Sequence, residues 1–203
     1  MKRLWLLMML AGAFAIALPA RAVLLNFHVN LSGANEVPPT GSPATGFADL
    51  TLDTVTNDLT GHIEFSGLLA TTTAAHIHCC LPSPFLTGVN VGVATLVPAF
   101  PGFPLFVTSG ADNFVLDLDL AASYNPAFIT AQGDLATARA SFIAALESDR
   151  TYLNIHTAAP NGFPGGEIRG FVVIPEPPLG SLILVAFALV GFARARPRRA
   201  RGG

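Results

Sequence analysis

Between Val23 and Ile174 the chain alternates apolar and polar residues with a period of two. In the stretch Leu24 to Leu31, the residues Leu25, Phe27, Val29 and Leu31 fall on one face, opposite Asn26, His28 and Asn30. Leu59, Ile63 and Phe65 likewise oppose Thr60, His62 and Glu64, and Phe114, Leu116, Leu118 and Leu120 alternate with Val115, Asp117 and Asp119. The same reading predicts strands over Gly46–Leu52, Ala74–Cys79, Val91–Val97, Thr151–Thr157 and Glu167–Val173. Turn clusters such as Thr56-Asn57-Asp58 and Pro160-Asn161-Gly162 separate them, and Pro98–Pro104 reads as a loop. Short alternating strands with one polar face predict a mainly β domain, an antiparallel sandwich or barrel. One segment departs from this period. Asn125-Pro126 reads as a helix N-cap with proline at the first helical position, and Asp134 caps a second helix through Asp149. Leu135, Ala138, Phe142, Ala145 and Leu146 form its apolar stripe, expected to pack over an open end or edge of the sheet.

The two ends follow different rules. Lys2 and Arg3, the apolar run Leu4 to Leu18 and the A-x-A site Ala20-Arg21-Ala22 have the form of a secretory signal over residues 1–22, to be removed by a signal peptidase. At the other end Pro175-Glu176-Pro177 leads into an apolar run, residues 178–193. A terminus holding Arg194, Arg196, Arg198, Arg199 and Arg201 follows. Sixteen apolar residues are short of the roughly 20 a comfortable span needs, which suits a temporary anchor in the inner membrane, stopped by cytoplasmic positive charge. The segment 175–203 resembles the PEP-CTERM sorting signal of Gram-negative bacteria. That resemblance implies processing by an exosortase-type membrane protease and delivery to the outer surface or extracellular matrix. The domain itself then occupies residues 23–174, a length that suits one core.

Removing the ends changes the charge. Residues 23–174 keep three arginines against twelve carboxylates, a formal charge of −9 where the whole chain carries −2. No basic stripe exists there, which excludes nucleic acid as a partner.

Chemistry concentrates in the histidines and cysteines. His76 and His78 are two apart and leave one face of a strand, and His156 shares a strand face with Tyr152 and Asn154. Three imidazoles converging from two strands would bind copper or zinc. Glu167 could hold a ring nitrogen from behind. His28 and His62 read as ordinary polar-face residues. Cys79 and Cys80 follow the His-x-His pair at once. In an oxidising compartment they could form a vicinal bridge, bridge two chains, ligate metal or stay free, although adjacent strand side chains point to opposite faces. Asp53 and Asp58 flank a turn where such carboxylates are usually solvated, with calcium as the alternative. No G-x-S-x-G elbow, H-E-x-x-H helix or phosphate-cradling glycine loop occurs, so no catalytic residues are assigned.

Five segments carry a second resemblance. Residues 31–39 (LSGANEVPP), 61–68 (GHIEFSGL), 74–78 (AAHIH), 152–157 (YLNIHT) and 164–170 (PGGEIRG) look like the ordered motifs of the CHRD domain, named after the animal protein chordin. The likeness runs from about Asn26 to Val172. Where such domains run from H-I-H into a Gly-Pro loop, this chain has Cys79-Cys80 and a longer insertion through Gly110. The resemblance implies an extracellular β-sandwich-like module without an established enzymatic activity. Two readings stay open. One is a non-catalytic surface or matrix module that binds polymer such as exopolysaccharide. The other is a copper or zinc protein built on His76, His78 and His156, redox-active in one form. The motif residues Glu167 and Arg169 share a strand face, where a mutual pair is expected.

Overall fold

The computed structural model describes residues 23–84 and 86–175. The signal-like segment and the sorting tail from Glu176 onward, with its apolar run, lie outside the described residues. No helix of the described residues is long and apolar enough to cross a membrane.

Seven antiparallel strands form one continuous sheet curled into a half-barrel. They are β1 (Leu24–Ser32), β2 (Thr45–Asp53), β3 (Asp58–Ser66), β4 (Thr72–Cys79), β5 (Gly110–Asp117), β6 (Thr151–Thr157) and β7 (Ile168–Phe171), in the spatial order β4-β6-β7-β1-β2-β3-β5. The meander β1-β2-β3 and the edge strand β5 keep the alternation expected of a half-buried sheet. Phe27, Val29 and Leu31 are buried while His28 is half-buried and Asn30 exposed, and Leu59, Ile63 and Phe65 are buried beside exposed Thr60 and Glu64. In contrast, β4 and β6 are buried on both faces. Ala75, Ile77, Leu153 and Ile155 enter the apolar core, and the opposite face carries His76, His78, Tyr152, Asn154 and His156.

Three expectations change in detail. The segment Val91–Val97 is not a strand: it lies along the edge of β4 through isolated bridges such as His78–Val93. There Ala94 N–H donates to the Ile77 carbonyl and Thr95 Oγ1 accepts from Ile77 N–H, so the edge is covered by a loop that follows its own path. The strand expected over Phe114–Leu120 starts earlier, at Gly110, and stops at Asp117, whose carboxylate accepts from the Asp119 N–H and turns the chain. The second helix ends at Glu147, two residues before Asp149.

The two helices are α1 (Pro126–Gln132) and α2 (Leu135–Glu147). Asn125 accepts from the Ala127 N–H at 3.0 Å and Asp134 from the Thr137 N–H at 2.7 Å, each satisfying an otherwise orphaned first-turn donor. Ala138, Phe142, Ala145 and Leu146 of the α2 stripe are buried in the same core as the sheet. Phe142 meets the rings of Tyr124 and Phe128 edge-on at 6.0 and 6.5 Å. The loop through Pro98–Pro104 also feeds this core. Its Phe100 stacks on Phe114 at 4.1 Å and its Phe103 on Phe65 at 5.3 Å.

The Phe100–Phe114 stack needs Gly61. A Cβ there would overlap the Phe114 ring and stand 2.8 Å from Leu50. Gly61→Val should therefore overpack the sheet and lower stability by about 1–3 kcal/mol, read as a lower urea midpoint at an unchanged m-value.

Candidate metal centre

The register of β4 against β6 builds the site. His76 lies opposite Asn154, His78 opposite Tyr152 and Ala74 opposite His156, so the period of two puts all three histidines on one face. Each offers a ring nitrogen within 4.8 Å of the others. The His76 ring lies 4.9 Å from that of His78 and 4.6 Å from that of His156. A four-coordinate ion with bonds of about 2.0–2.1 Å needs nitrogens roughly 3.4 Å apart, a spacing that small ring rotations reach.

Hydrogen bonds decide which nitrogens are free. His78 Nδ1 lies 2.7 Å from the Val91 carbonyl and His156 Nδ1 2.8 Å from the Pro164 carbonyl. A carbonyl only accepts, so in each ring Nδ1 carries the proton and Nε2 keeps its lone pair. Those two Nε2 atoms, together with His76 Nδ1, are buried with no hydrogen-bond partner. A buried polar atom left unpaired costs about 1–3 kcal/mol. Each of the three rings thus keeps a nitrogen open to a cation, and the trio brings ligand atoms within 4.8 Å of one another. Carbonyls that fix the tautomer from behind are the usual support of metal-bound imidazoles.

Electrostatics agree. Burial, reinforced by the neighbouring histidines, pushes His76 down to about 3, and burial pushes His78 down to about 4 against the Val91 hydrogen bond. Burial also lowers His156. All three rings are neutral at pH 7, the form that ligates metal.

The surrounding layer is polar and closed on one side. Tyr152 stacks on His78 at 4.5 Å, and its hydroxyl lies 3.2 Å from both the amide nitrogen and the carbonyl oxygen of Val91. The Arg169 guanidinium sits 3.4 Å above the Tyr152 ring and donates to Asn90 Oδ1 and the Val89 carbonyl. On the other side Asn154 donates through Nδ2 to Glu36 at 2.9 Å. Burial raises Glu36 to about 7, against the pull of Arg169 and the Val37 N–H.

The remaining candidates fall elsewhere. Glu167 accepts from Ser42, Leu69 N–H and Thr157, so it holds no histidine ring, and the expected pair with Arg169 does not form. Cys79 and Cys80 are bonded to each other, which removes their sulfurs as ligands. His28 pairs with Asp49 and His62 with Glu64 and Asn113 on the solvent face, away from the trio. Asp53 accepts from the Val55 and Thr56 N–H groups and so shapes its turn. Glu36, Asn90 and Val91 come from loops that no periodicity marks as close to the histidines.

The depressed histidines make stability depend on pH. Each ring binds its proton near 6.5 when unfolded but only near 3 to 4 when His76 and His78 are folded, so the folded state takes up fewer protons below pH 6.5. Stability present at neutral pH is therefore lost as pH falls from 6.5 towards those values, by about 2 kcal/mol per buried histidine at pH 5. Glu36 acts in the opposite sense, because its raised folded value favours folding below about 4.5 and loses that benefit as pH rises through 7. It offsets roughly one histidine. The metal-free protein should thus have a lower urea midpoint at pH 5 than at pH 7, and His76→Leu/His78→Leu should flatten or reverse the difference.

No curated protein and no solved structure matches the chain. The family comparison does find a match, covering all but the first three residues of β1, strands β2 to β7, the histidine trio and the loops that frame it. Residues 27–172 fit the model of the CHRD domain, and the chain belongs to that family.

Proposed function

We propose that this chain is an exported CHRD-domain protein of the bacterial surface or matrix, and that its domain holds one copper or zinc ion on His76, His78 and His156. The observation that carries the metal reading is the set of three buried imidazole nitrogens without partners. Neutral imidazole suits both metals. With three protein ligands a fourth position stays open, as in reactive rather than purely structural sites. The export reading rests on the sequence alone: the signal-like residues 1–22, and the Pro175-Glu176-Pro177 tail with its short apolar run and arginine stop. A signal peptidase and an exosortase-type protease would process the two ends, with the inner membrane holding the precursor between those steps. Exopolysaccharide is the matrix polymer such a module would meet.

The test is metal analysis of the untagged protein purified from a periplasm, beside His76→Ala/His78→Ala. One equivalent of copper or zinc, reduced to a small fraction in a variant that keeps its β-sheet circular dichroism, is the expected result. A folded wild-type protein that takes up neither metal, even after incubation with excess, would overturn the reading.

A further inference from the structure

The three ligands are not equally enclosed. His76 and His78 are 5% and 9% exposed, whereas His156 is half-buried. The side of His78 is closed by Tyr152, Arg169 and the segment Val89–Val91. Next to the Pro164 carbonyl that holds His156 lies a cleft of about 360 Å³, lined by Glu36, the loop Val37–Thr40, Asn90 and the turn Gly162–Gly166. Two supports of the histidine layer are walls of this cleft. Pro164 accepts from His156 Nδ1, and Glu36 accepts from Asn154 Nδ2.

Asn154 is the unexplained group beside it. It stands opposite His76 on the same face and is 2% exposed. Its Nδ2 is engaged by Glu36, and its Oδ1 is buried without a partner. Gly166 presses on the pair: a Cβ there would lie 2.6 Å from Glu36 Oε1 and 2.7 Å from Asn154 Oδ1. The amide is therefore held with an acceptor left over, one strand across from His76.

We propose that the cleft is the access route to the open coordination position, and that Asn154 Oδ1 accepts a hydrogen bond from a small protic oxygen ligand bound there, water or hydroxide in the resting protein. Glu36 is a positioning residue that keeps the Asn154 carbonyl available. This rests on the metal reading above and adds what that reading leaves open: the direction of approach and the class of ligand, small and hydrogen-donating. A ligand with no hydrogen to donate would leave the orphaned acceptor unsatisfied.

Azide tests both halves, because it competes for a copper(II) position yet donates no hydrogen bond. In the copper-loaded protein, Asn154→Leu removes the acceptor that retains water, so azide should bind about tenfold more tightly than to wild type, the change expected for one hydrogen bond of about 1.4 kcal/mol. Gly165 lines the cleft, and a Cβ there meets nothing within 4 Å. Gly165→Trp should accordingly leave copper content intact and slow azide association at least tenfold. The second variant needs no change in the buried layer, so it remains informative if Asn154→Leu folds poorly. Stoichiometric copper with azide affinity and association rate unaltered in Asn154→Leu and Gly165→Trp would overturn this inference and leave the metal site standing. Absence of bound copper and zinc in the folded wild type would instead remove the metal reading and the inference with it.

Discussion

Burying both faces of β4 and β6 is the constraint on which the rest of the site depends. In most antiparallel sheets one face meets the core and the other meets water, so polar residues at alternate positions are solvated. Here the polar face is roofed by loops, and every group on it must find a partner within the protein. The roof supplies those partners through Val91 for His78, Pro164 for His156, Glu36 for Asn154, and Val89 with Asn90 for Arg169. The pairing leaves three histidine nitrogens open, together with Asn154 Oδ1 and Arg169 Nε. A cation is the group that satisfies three lone pairs at once.

This explains why the loops cannot be regular strands. Val91 must present its carbonyl to His78 and accept the Tyr152 hydroxyl, while its neighbours bond back to the edge of β4. In a regular ladder the carbonyls point in the plane of the sheet towards neighbouring strands and not at a face. Gly166 answers a similar demand, since its φ of +126° and missing side chain let the turn lie against Asn154 and Glu36.

The histidine trio was legible because the spacing His76–His78 and the Tyr152–Asn154–His156 row follow the two-residue period of a strand, which fixes a common face without knowledge of the fold. The helix caps at Asn125 and Asp134 were legible for an equally local reason. Partners across the chain were not. Glu36 and Asn154 are 118 residues apart, and nothing in either segment encodes their meeting. Glu167 and Arg169 show how same-face logic fails when both groups have nearer competitors. Glu167 sits among Ser42, Leu69 and Thr157, and Arg169 is drawn over Tyr152 towards Asn90. The vicinal bridge of Cys79 and Cys80 likewise departs from what strand alternation suggests.

Coordination geometry gives the most direct test. X-ray absorption of the copper- or zinc-loaded protein, with a crystal structure at the metal edge, should show three imidazole nitrogens at about 2.0–2.1 Å. They should be His76 Nδ1, His78 Nε2 and His156 Nε2, with an oxygen in the fourth position. Metal found instead on the solvent-face histidines His28 or His62, or bound through fewer than three imidazoles, would contradict the assignment.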